Sequence, residues 1–394
     1  MESRIKCLRN SMDRLPDELI IYIVSLLPLK EAIRTSVLAR KWQFFWISNT
    51  MLDFDASLSI REFKNNRRSL SSERIRYTEQ VNRLLSLHSG ESIDKFRISF
   101  DLDISSARDI DRWIKFAFAK RVKRLALEFV QPGLYRYGQY TFPKQGLPVC
   151  ESLVSLVLCK VAIDGETLEC FISNCPLLEE LHVEDANCLR SLKVSCCPNR
   201  LRRLAIIDCL DLRRLDICSP DLVSFTLDAS EIAVTLKSVS SIVDLTLGAL
   251  WPCKLSTYLF RISGCLARLE TLTLHTSIIQ EIEEMDFPNL PSLKKLSIEV
   301  KGVGCWSIRC FVPLIYAAPM LSEAVFKLKP SVLKPRSIRR PNIGKRRHDC
   351  LKVFEIIGFE GTAVDIELSL YVLESAFSLE KVVINGRTKT GDQI

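Results

Sequence analysis

The sequence predicts an α/β protein in which a short helical segment precedes a solenoid of parallel strands. Two observations support this fold class. An almost uninterrupted apolar run occupies residues 19–29, where only Ser25 is polar. The pattern apolar-x-x-apolar-x-apolar then recurs from residue 93 to residue 384 at intervals of 20 to 31 residues. A repeat of this length is typical of solenoids, in which each unit is one short strand and a return segment.

Composition excludes several classes. The 394 residues are 47% hydrophobic, which rules out general disorder. The chain has 55 basic and 47 acidic residues, which gives a net charge of +8. This small excess of basic residues is not typical of a nucleic-acid-binding surface. The apolar run is too short to cross a bilayer. Because Asp17 and Glu18 lie at its edge and no small-residue cleavage site follows, a signal peptide is not expected either.

The N-terminal segment reads as three short helices. Pro16 at the first turn, followed by Asp17 and Glu18, predicts a helix that begins at residue 16 or 17 and ends by Pro28. "LKEAIRTS" predicts a second helix, and residues 37–47 predict a third. Three helices in about 40 residues are too few to bury this apolar surface internally, so a partner is expected. Trp42 and Trp46 suit either an interface or the core of this segment.

The repeat supplies the remaining strands. The copies are "IDKFRI", "VKRLAL", "LVSLVL", "LLEELHV", "LRRLAI", "LVSFTL", "IVDLTL", "LETLTL", "LKKLSI", "LSEAVF", "LKVFEI" and "LEKVVI". Two extra copies start at Leu189 and Leu212, and we expect short strands there on the opposite, convex side. Return segments such as residues 107–120 have helical spacing. The alternative is an unrelated α/β fold with several buried strands.

Alternation along each strand separates core residues from surface residues. In "LLEELHVE" the core takes Leu181 and Val183. The residues expected on the opposite, concave face are candidates for binding a partner protein: Glu180, His182, Glu184, Arg203, Ala205, Ile207, Thr271, Thr273, His275, Lys295, Ser297 and Glu299. A solvated face without any ligand is the alternative.

Cysteine and histidine spacing indicates no metal or redox site. The chain has fifteen cysteines and four histidines but no C-x-x-C pair. We therefore expect unpaired, structural thiols, no zinc and no cofactor. His348 and Cys350 form the one close Cys–His pair, and no orienting partner or phosphate or acyl motif accompanies them. The sequence thus predicts a protein without catalytic activity of its own.

The repeat resembles the leucine-rich repeat in its irregular intracellular form. Cys197 and Cys209 lie eight residues after Leu189 and Leu201, where that family uses Asn or Cys to bond the turning backbone. The fold expected from this resemblance is an irregular leucine-rich-repeat solenoid with parallel strands and helical return segments, preceded by the three-helix segment.

The segment "DRLPDELIIYIVSLLPLKEAIRTSVLARKWQFFWISNTMLDFD" is similar to an F-box of the plant type. The Leu-Pro-x-Glu-Leu opening, the Leu-Pro-Leu-Lys turn, Arg-Thr-Ser-Val-Leu and Lys-Trp occur in order. The resemblance implies docking on a Skp-family adaptor, which connects to a cullin and a RING subunit. The residues that it implies at the docking surface are Leu15, Pro16, Leu19, Ile20, Ile23, Leu27, Pro28, Leu29, Val37 and Trp42.

Residues 350–386 are similar to the FBD domain that often ends plant chains of this type, although the usual Trp and Pro before it are absent. Residues 334–347 carry seven Lys or Arg and no acid, which is typical of a solvated loop or of a nuclear-import signal. The expected location is the nucleus, the cytoplasm or both. The predicted segments are a tail 1–12, an F-box 13–55, a linker and helix 56–92, a solenoid 93–333, a basic loop 334–347, FBD-like units 348–386 and a tail 387–394.

These resemblances imply the substrate-recognition subunit of a Skp-cullin-F-box ubiquitin ligase, with an unidentified target protein on the solenoid. No nucleic acid and no membrane is expected among its partners. The alternative is a scaffold that binds proteins through the solenoid without delivering a substrate. The sequence leaves the target protein open, and also whether a small ligand occupies the strand face.

Overall fold

The computed structural model describes residues 15–37, 40–57, 67–130, 138–144, 150–195, 200–229, 232–239, 242–250, 252–277, 286–301, 311–328, 347–361 and 363–386. The chain separates into two compact units. The first contains residues 1–192 and 197–200, and the second contains residues 193–196 and 201–394.

The first unit opens with two short α-helices, α1 (Asp17–Ser25) and α2 (Leu29–Arg34). A proline precedes each of them, and its backbone oxygen accepts bonds from the first turn of the helix, as from Leu19 N to Pro16 O at 3.1 Å. The predicted start of the first helix and the position of the second are confirmed. Each proline is the N-cap residue, with an extended ψ of 148° at Pro16 and 143° at Pro28, and its missing N–H would have had no partner within the helix.

The predicted third α-helix is instead a 3-10 helix at Arg40–Ser48, after a single 3-10 turn at Thr35–Val37. It closes with an i to i+3 bond from Asn49 N to Trp46 O of 3.1 Å. Over nine residues the apolar spacing does not separate a period of 3.0 from one of 3.6, so the sequence could not distinguish the two.

Five parallel strands form the sheet of the first unit. They are β1 (Met51–Asp55), β2 (Lys95–Phe100), β3 (Arg124–Phe129), β4 (Ser155–Cys159) and β5 (Glu180–Glu184), each paired with the next. The first of them belongs to the segment that the sequence assigns to the F-box. The helical segment therefore runs directly into the sheet.

Helices α3 (Arg67–Leu87), α4 (Ala107–Ala119) and α5 (Gly165–Ser173) lie between these strands in the chain. The helix predicted at 107–120 is confirmed, with Trp113 fully buried. Tyr77 of α3 donates to Phe54 O at 2.6 Å and stacks on Phe100 at 4.5 Å between ring centroids. Arg74 donates to both carboxylate oxygens of buried Asp101 at 2.9 Å. These contacts hold α3 against the first two strands.

The second unit repeats the same architecture. Its parallel sheet contains β7 (Arg203–Ile207), β9 (Ser224–Asp228), β11 (Asp244–Leu250), β12 (Thr271–Ser277), β13 (Lys295–Lys301), β14 (Glu323–Leu328), β15 (Val353–Phe359) and β16 (Lys381–Gly386). Helices α6 (Pro252–Arg261), α7 (Val312–Tyr316) and α8 (Ala363–Ser375) lie between strands of this sheet in the chain.

A separate small sheet confirms the strands predicted from the two extra repeat copies. It consists of β6 (Ser191–Val194), β8 (Arg214–Cys218) and β10 (Ala233–Lys237). The last two pair in parallel, with Leu215 beside Val234. The predicted fold class, mixed α/β with mostly parallel strands, is confirmed.

Burial follows the predicted alternation. Leu181 and Val183 of β5 have no exposed surface, and Glu180, His182 and Glu184 are half-buried on the other face. Even the weakest copy, "LSEAVF", buries Ala324 and Phe326 completely. The inward side chains of successive strands therefore form the continuous core of each unit.

Turns at the carboxyl ends of several strands use non-glycine residues with left-handed backbone. Lys160, Asp185 and Asp208 have φ of 57°, 51° and 53° and directly follow β4, β5 and β7. Cys209, one residue later, is buried, and its Sγ lies 3.4 Å from Ile207 O. This contact matches the expected role of a cysteine that bonds the turning backbone; Cys197 lies outside the described residues.

One cysteine departs from the sequence prediction. Cys218 is disulfide-bonded in the structure, so the expectation that no thiol is paired is wrong at this position. Eight other cysteines among the described residues are not disulfide-bonded.

The bulge in β15 after Ile357 requires glycine. Gly358 has φ of +85° and marks a bulge in the pairing of β15 with β16. A Cβ there would lie 2.2 Å from Leu328 O, whereas at Gly361, with φ of +73°, the nearest atom would be 3.9 Å away. Gly361 therefore serves as a control that shares the backbone conformation but lacks the clash.

We predict that Gly361→Ala costs about 1 to 2 kcal/mol, the usual penalty of left-handed backbone. Gly358→Ala should cost more, because a backbone clash is added to the same strain. Chemical denaturation of the two variants tests this. Equal losses would show that β14 does not approach Gly358 as described.

The alternation in β5 gives a second prediction. Leu181→Ala should lower the free energy of unfolding by about 2 to 5 kcal/mol, since it removes buried methyl groups and leaves a cavity. His182→Ala, one residue on, should cost less than about 1 kcal/mol, because its partner Glu184 is partly solvated. Thermal melts of the two variants compare these losses. If His182→Ala proves as damaging as Leu181→Ala, the strand register is wrong.

Candidate docking and recognition surfaces

Helix α1 is apolar on two opposite faces. Ile20 and Val24, one turn apart, are buried, while Leu19 is 50% exposed and Tyr22 is 62% exposed. The turn after the helix adds Leu26 at 67%. A helix that places large apolar side chains in water beside one another marks a surface for a protein partner.

The buried face of α1 packs within its own segment. Ile20, Val24, Ala32, Trp42 and Trp46 form one cluster. Partly buried side chains around it include Leu15, Leu27 and, from α3, Leu84. The two tryptophans therefore occupy the core of the segment, which is the second of the two roles left open by the sequence.

The ten residues implied at the docking surface fall into three groups. Ile20, Leu29 and Trp42 lie in the interior. Ile20 and Trp42 belong to the segment's own core, so their side chains have almost no surface to offer a partner in the structure described; docking by any of the ten residues stays a prediction. Leu15 and Leu27 are half-buried. The exposed members are Pro16, Leu19, Ile23, Pro28 and Val37, the last of them 80% exposed.

Four further exposed apolar residues border this group and were not selected from the sequence: Ile21, Tyr22, Leu26 and Phe44. The signal for three of them was present in the run of residues 19–29, where no helical face is polar. We call the exposed members and these four residues the apolar docking face.

On the solvent face of the first sheet, oppositely charged side chains pair across strands. Arg97 of β2 donates to Asp55 at 2.7 Å and to both oxygens of Glu128 at 3.0 and 2.6 Å. Lys95 donates to Asp53 at 2.6 Å. These ion pairs connect three neighbouring strands, and a ligand that used their charges would have to compete with them.

A mixed cluster lies beside this ladder, on β4 and β5. Cys159 Sγ donates to Glu184 Oε2 at 3.7 Å, and His182 Nε2 lies 3.2 Å from the same oxygen. The hydrogen bond from His182 lowers the pKa of Glu184. Burial raises the pKa of the Cys159 thiol, and the carboxylates of Glu184 and Glu128 raise it further. Without a bound cation this cysteine is therefore a neutral thiol near pH 7.

In the second unit the candidate residues also lie on the solvent face. Thr271, Thr273 and His275 are half-buried, whereas Arg203 and Lys295 are exposed. Ala205, Ile207, Ser297 and Glu299 are half-buried on the same strand positions. The predicted orientation of the strands is confirmed; binding of a partner by these residues stays a prediction.

The register of the strands places hydroxyl side chains in a row that the sequence did not reveal. Thr226, Thr246, Thr273 and Ser297 are cross-strand neighbours on β9, β11, β12 and β13. Threonines directly opposite one another stabilise neighbouring strands and present hydroxyl groups to solvent. This row is uncharged, unlike the charged ladder of the first unit.

The Cys–His pair noted in the sequence has a structural role. Buried His348 lies with Nε2 3.0 Å from Ala318 O, and its Nδ1 accepts from Leu351 N at 3.2 Å. Both ring nitrogens are therefore engaged by backbone groups, so this imidazole is not available as a base for Cys350.

The basic stretch 334–347 lies outside the described residues except for Arg347. Among the helices described, none has the length and apolarity needed to span a membrane.

Comparison with known proteins defines the class. The family model for the F-box domain matches residues 12–51, which end where β1 begins. The model for the At1g61320/AtMIF1 LRR domain matches residues 141–393, more than half of the chain. The chain combines an F-box with a leucine-rich-repeat domain, and it belongs to the At1g61320/AtMIF1 LRR-domain family.

Relatives in Arabidopsis thaliana have the same combination in their names. F-box/LRR-repeat protein At3g26922 is 30% identical over 233 residues, which cover 52% of this chain and 71% of that protein. F-box/FBD/LRR-repeat protein At4g26340 is 26% identical over 408 residues, which cover 93% and 91%. A shorter match to the protein At5g62970, 28% identical over 213 residues, covers 43% of this chain and 45% of the relative.

Proposed function

We propose that this protein is the substrate-recognition subunit of a Skp-cullin-F-box ubiquitin ligase. The F-box implies binding to a Skp1-type adaptor. Through that adaptor the complex acquires a cullin and a RING subunit, which supply the catalytic machinery. The receptor itself contributes proximity, because it raises the effective concentration of a target lysine near the charged conjugating enzyme.

The observation that carries this proposal is the apolar docking face of α1 and its flanking turns. Its side chains remain in water although the helix already has a complete core on its other side. A soluble protein rarely leaves such a patch uncovered unless a partner covers it. Because this face lies within the residues that match the F-box, we assign the adaptor as its partner.

For the target protein, we propose the solvent face of the strands in the two units. A substitution on this face leaves the core unchanged, so one fold can carry different recognition surfaces. The units around β15, α8 and β16 would then be an FBD-type end of the repeat, as the name of one relative suggests. We place the complex in the nucleus, the cytoplasm or both.

Adaptor binding is tested by replacing two exposed anchors, Leu19→Ala together with Val37→Ala. We expect at least a tenfold loss of affinity for the adaptor, since buried interface anchors typically cost more than about 1 kcal/mol each. Stability should change by less than about 1 kcal/mol because both side chains are exposed. Isothermal titration with purified adaptor, together with a thermal melt, measures both quantities.

The matched control is Ile104→Ala with Phe260→Ala, which removes two apolar side chains of similar exposure outside the F-box. This control should bind the adaptor as the original chain does. Binding of the Leu19/Val37 variant at the original affinity would contradict the docking assignment.

Substrate delivery is tested in cells with the same variants. A target protein should accumulate on the Leu19/Val37 variant, which holds its target but no longer reaches the ligase, and on the original chain only when the proteasome is inhibited. Quantitative mass spectrometry of purified complexes measures this. These substitutions are preferable to deletion of residues 13–55, because that deletion removes β1 from the sheet. Equal recovery of every bound protein with both chains would favour the scaffold alternative.

A further inference from the structure

The cluster on β4 and β5 combines three different metal-binding groups. Cys159 and Glu184 are direct cross-strand neighbours, and His182 precedes Glu184 by two positions, so its side chain lies on the same face. All three are half-buried, and their ligand atoms lie within 4.8 Å of one another. A thiol, an imidazole and a carboxylate thus converge at a surface open to solvent.

The distances between these atoms are close to those of a tetrahedral zinc site. Zinc bonds of about 2.3 Å to sulfur and about 2.0 to 2.2 Å to nitrogen and oxygen place the ligand atoms about 3.4 to 3.6 Å apart. In the structure, Cys159 Sγ is 3.7 Å and His182 Nε2 is 3.2 Å from Glu184 Oε2. Two of the three distances are therefore close to those of a tetrahedral site, and the third, between the ligand atoms of Cys159 and His182, is no more than 4.8 Å.

We propose that Cys159, His182 and Glu184 bind a zinc ion, with the fourth position open to water or to another donor from solvent. The choice of metal follows from the donors, since a sulfur, nitrogen and oxygen set favours zinc over magnesium or calcium. A thiolate and a carboxylate together neutralise the two positive charges of the ion. This departs from the zinc-free protein expected from linear spacing.

The surroundings keep the cluster in place without occupying it. Glu128 is the cross-strand neighbour of Cys159 on the other side. Arg97 donates to both carboxylate oxygens of Glu128, which offsets part of the negative charge that Glu128 places beside the thiol. In the absence of metal, the same three ligands form an ordinary hydrogen-bonded group. The proposal concerns this chain alone and does not depend on the adaptor or the substrate.

Cobalt reports directly on a thiolate ligand. The full chain, reduced and stripped of metal, is titrated with Co²⁺, which should bind in one equivalent with a near-ultraviolet thiolate-to-cobalt band and visible bands of tetrahedral intensity. Added Zn²⁺ should remove these bands. Competition against a chelating indicator then gives the zinc affinity. Absence of a saturable one-equivalent cobalt signal in the original chain would overturn the proposal without reference to any variant.

Variants assign the ligands. Cys159→Ser should abolish the charge-transfer band, and His182→Ala and Glu184→Gln should each weaken zinc binding by more than about tenfold, since even groups that only orient a ligand are worth that much. The controls are Cys188→Ser, an exposed free cysteine of the same unit, and His275→Ala, a strand-face histidine of the second unit. Both should retain the band and the affinity. A band that survives in Cys159→Ser, or that disappears in Cys188→Ser, would place the metal elsewhere and overturn the assignment.

Discussion

The architecture depends on one constraint: an inward side chain of a strand is buried only by the equivalent side chains of the neighbouring strands. Leu156 and Leu158 of β4 lie directly beside Leu181 and Val183 of β5, and all four have no exposed surface. A single unit could not exclude water from both sides of this row. The constraint therefore acts on two or three positions per unit and leaves the outward positions and the return segments free to vary.

This constraint explains why the strands could be predicted from sequence and where the prediction fails. Every copy of the repeat pattern corresponds to a strand, but β1 and β10 were missed. In β1 the first apolar position of the pattern is taken by Asn49, which is nevertheless buried and accepts from Met51 N at 2.8 Å. A buried amide that bonds its own backbone substitutes for a leucine, and hydrophobicity alone does not detect it. In β10 the corresponding position is Glu231.

The sequence predicted that an apolar surface of the helical segment binds a partner. It identified only some of the residues that are exposed on that surface. Periodicity identifies a buried face only when the other face is polar, and α1 has no polar face between Leu19 and Val24. What selects the inner side is the tertiary contact with Trp42 and Trp46, which cover Ile20 and Val24. Leu19 and Tyr22 remain outside for the same reason. Sequence could therefore establish that a partner is needed, whereas the choice of contact residues required the fold.

The side-chain groups on the strand faces also form only because neighbouring strands pair in parallel. Cys159 and Glu184 are separated by a whole repeat unit in the chain, yet they are neighbours because they hold the same position in consecutive strands. Thr226, Thr246 and Thr273 form their row for the same reason. A search for motifs with fixed spacing considers one stretch of the chain at a time, and it therefore detects neither group. In a solenoid the informative comparison is between equivalent positions of successive units, since the parallel register converts that equivalence into contact.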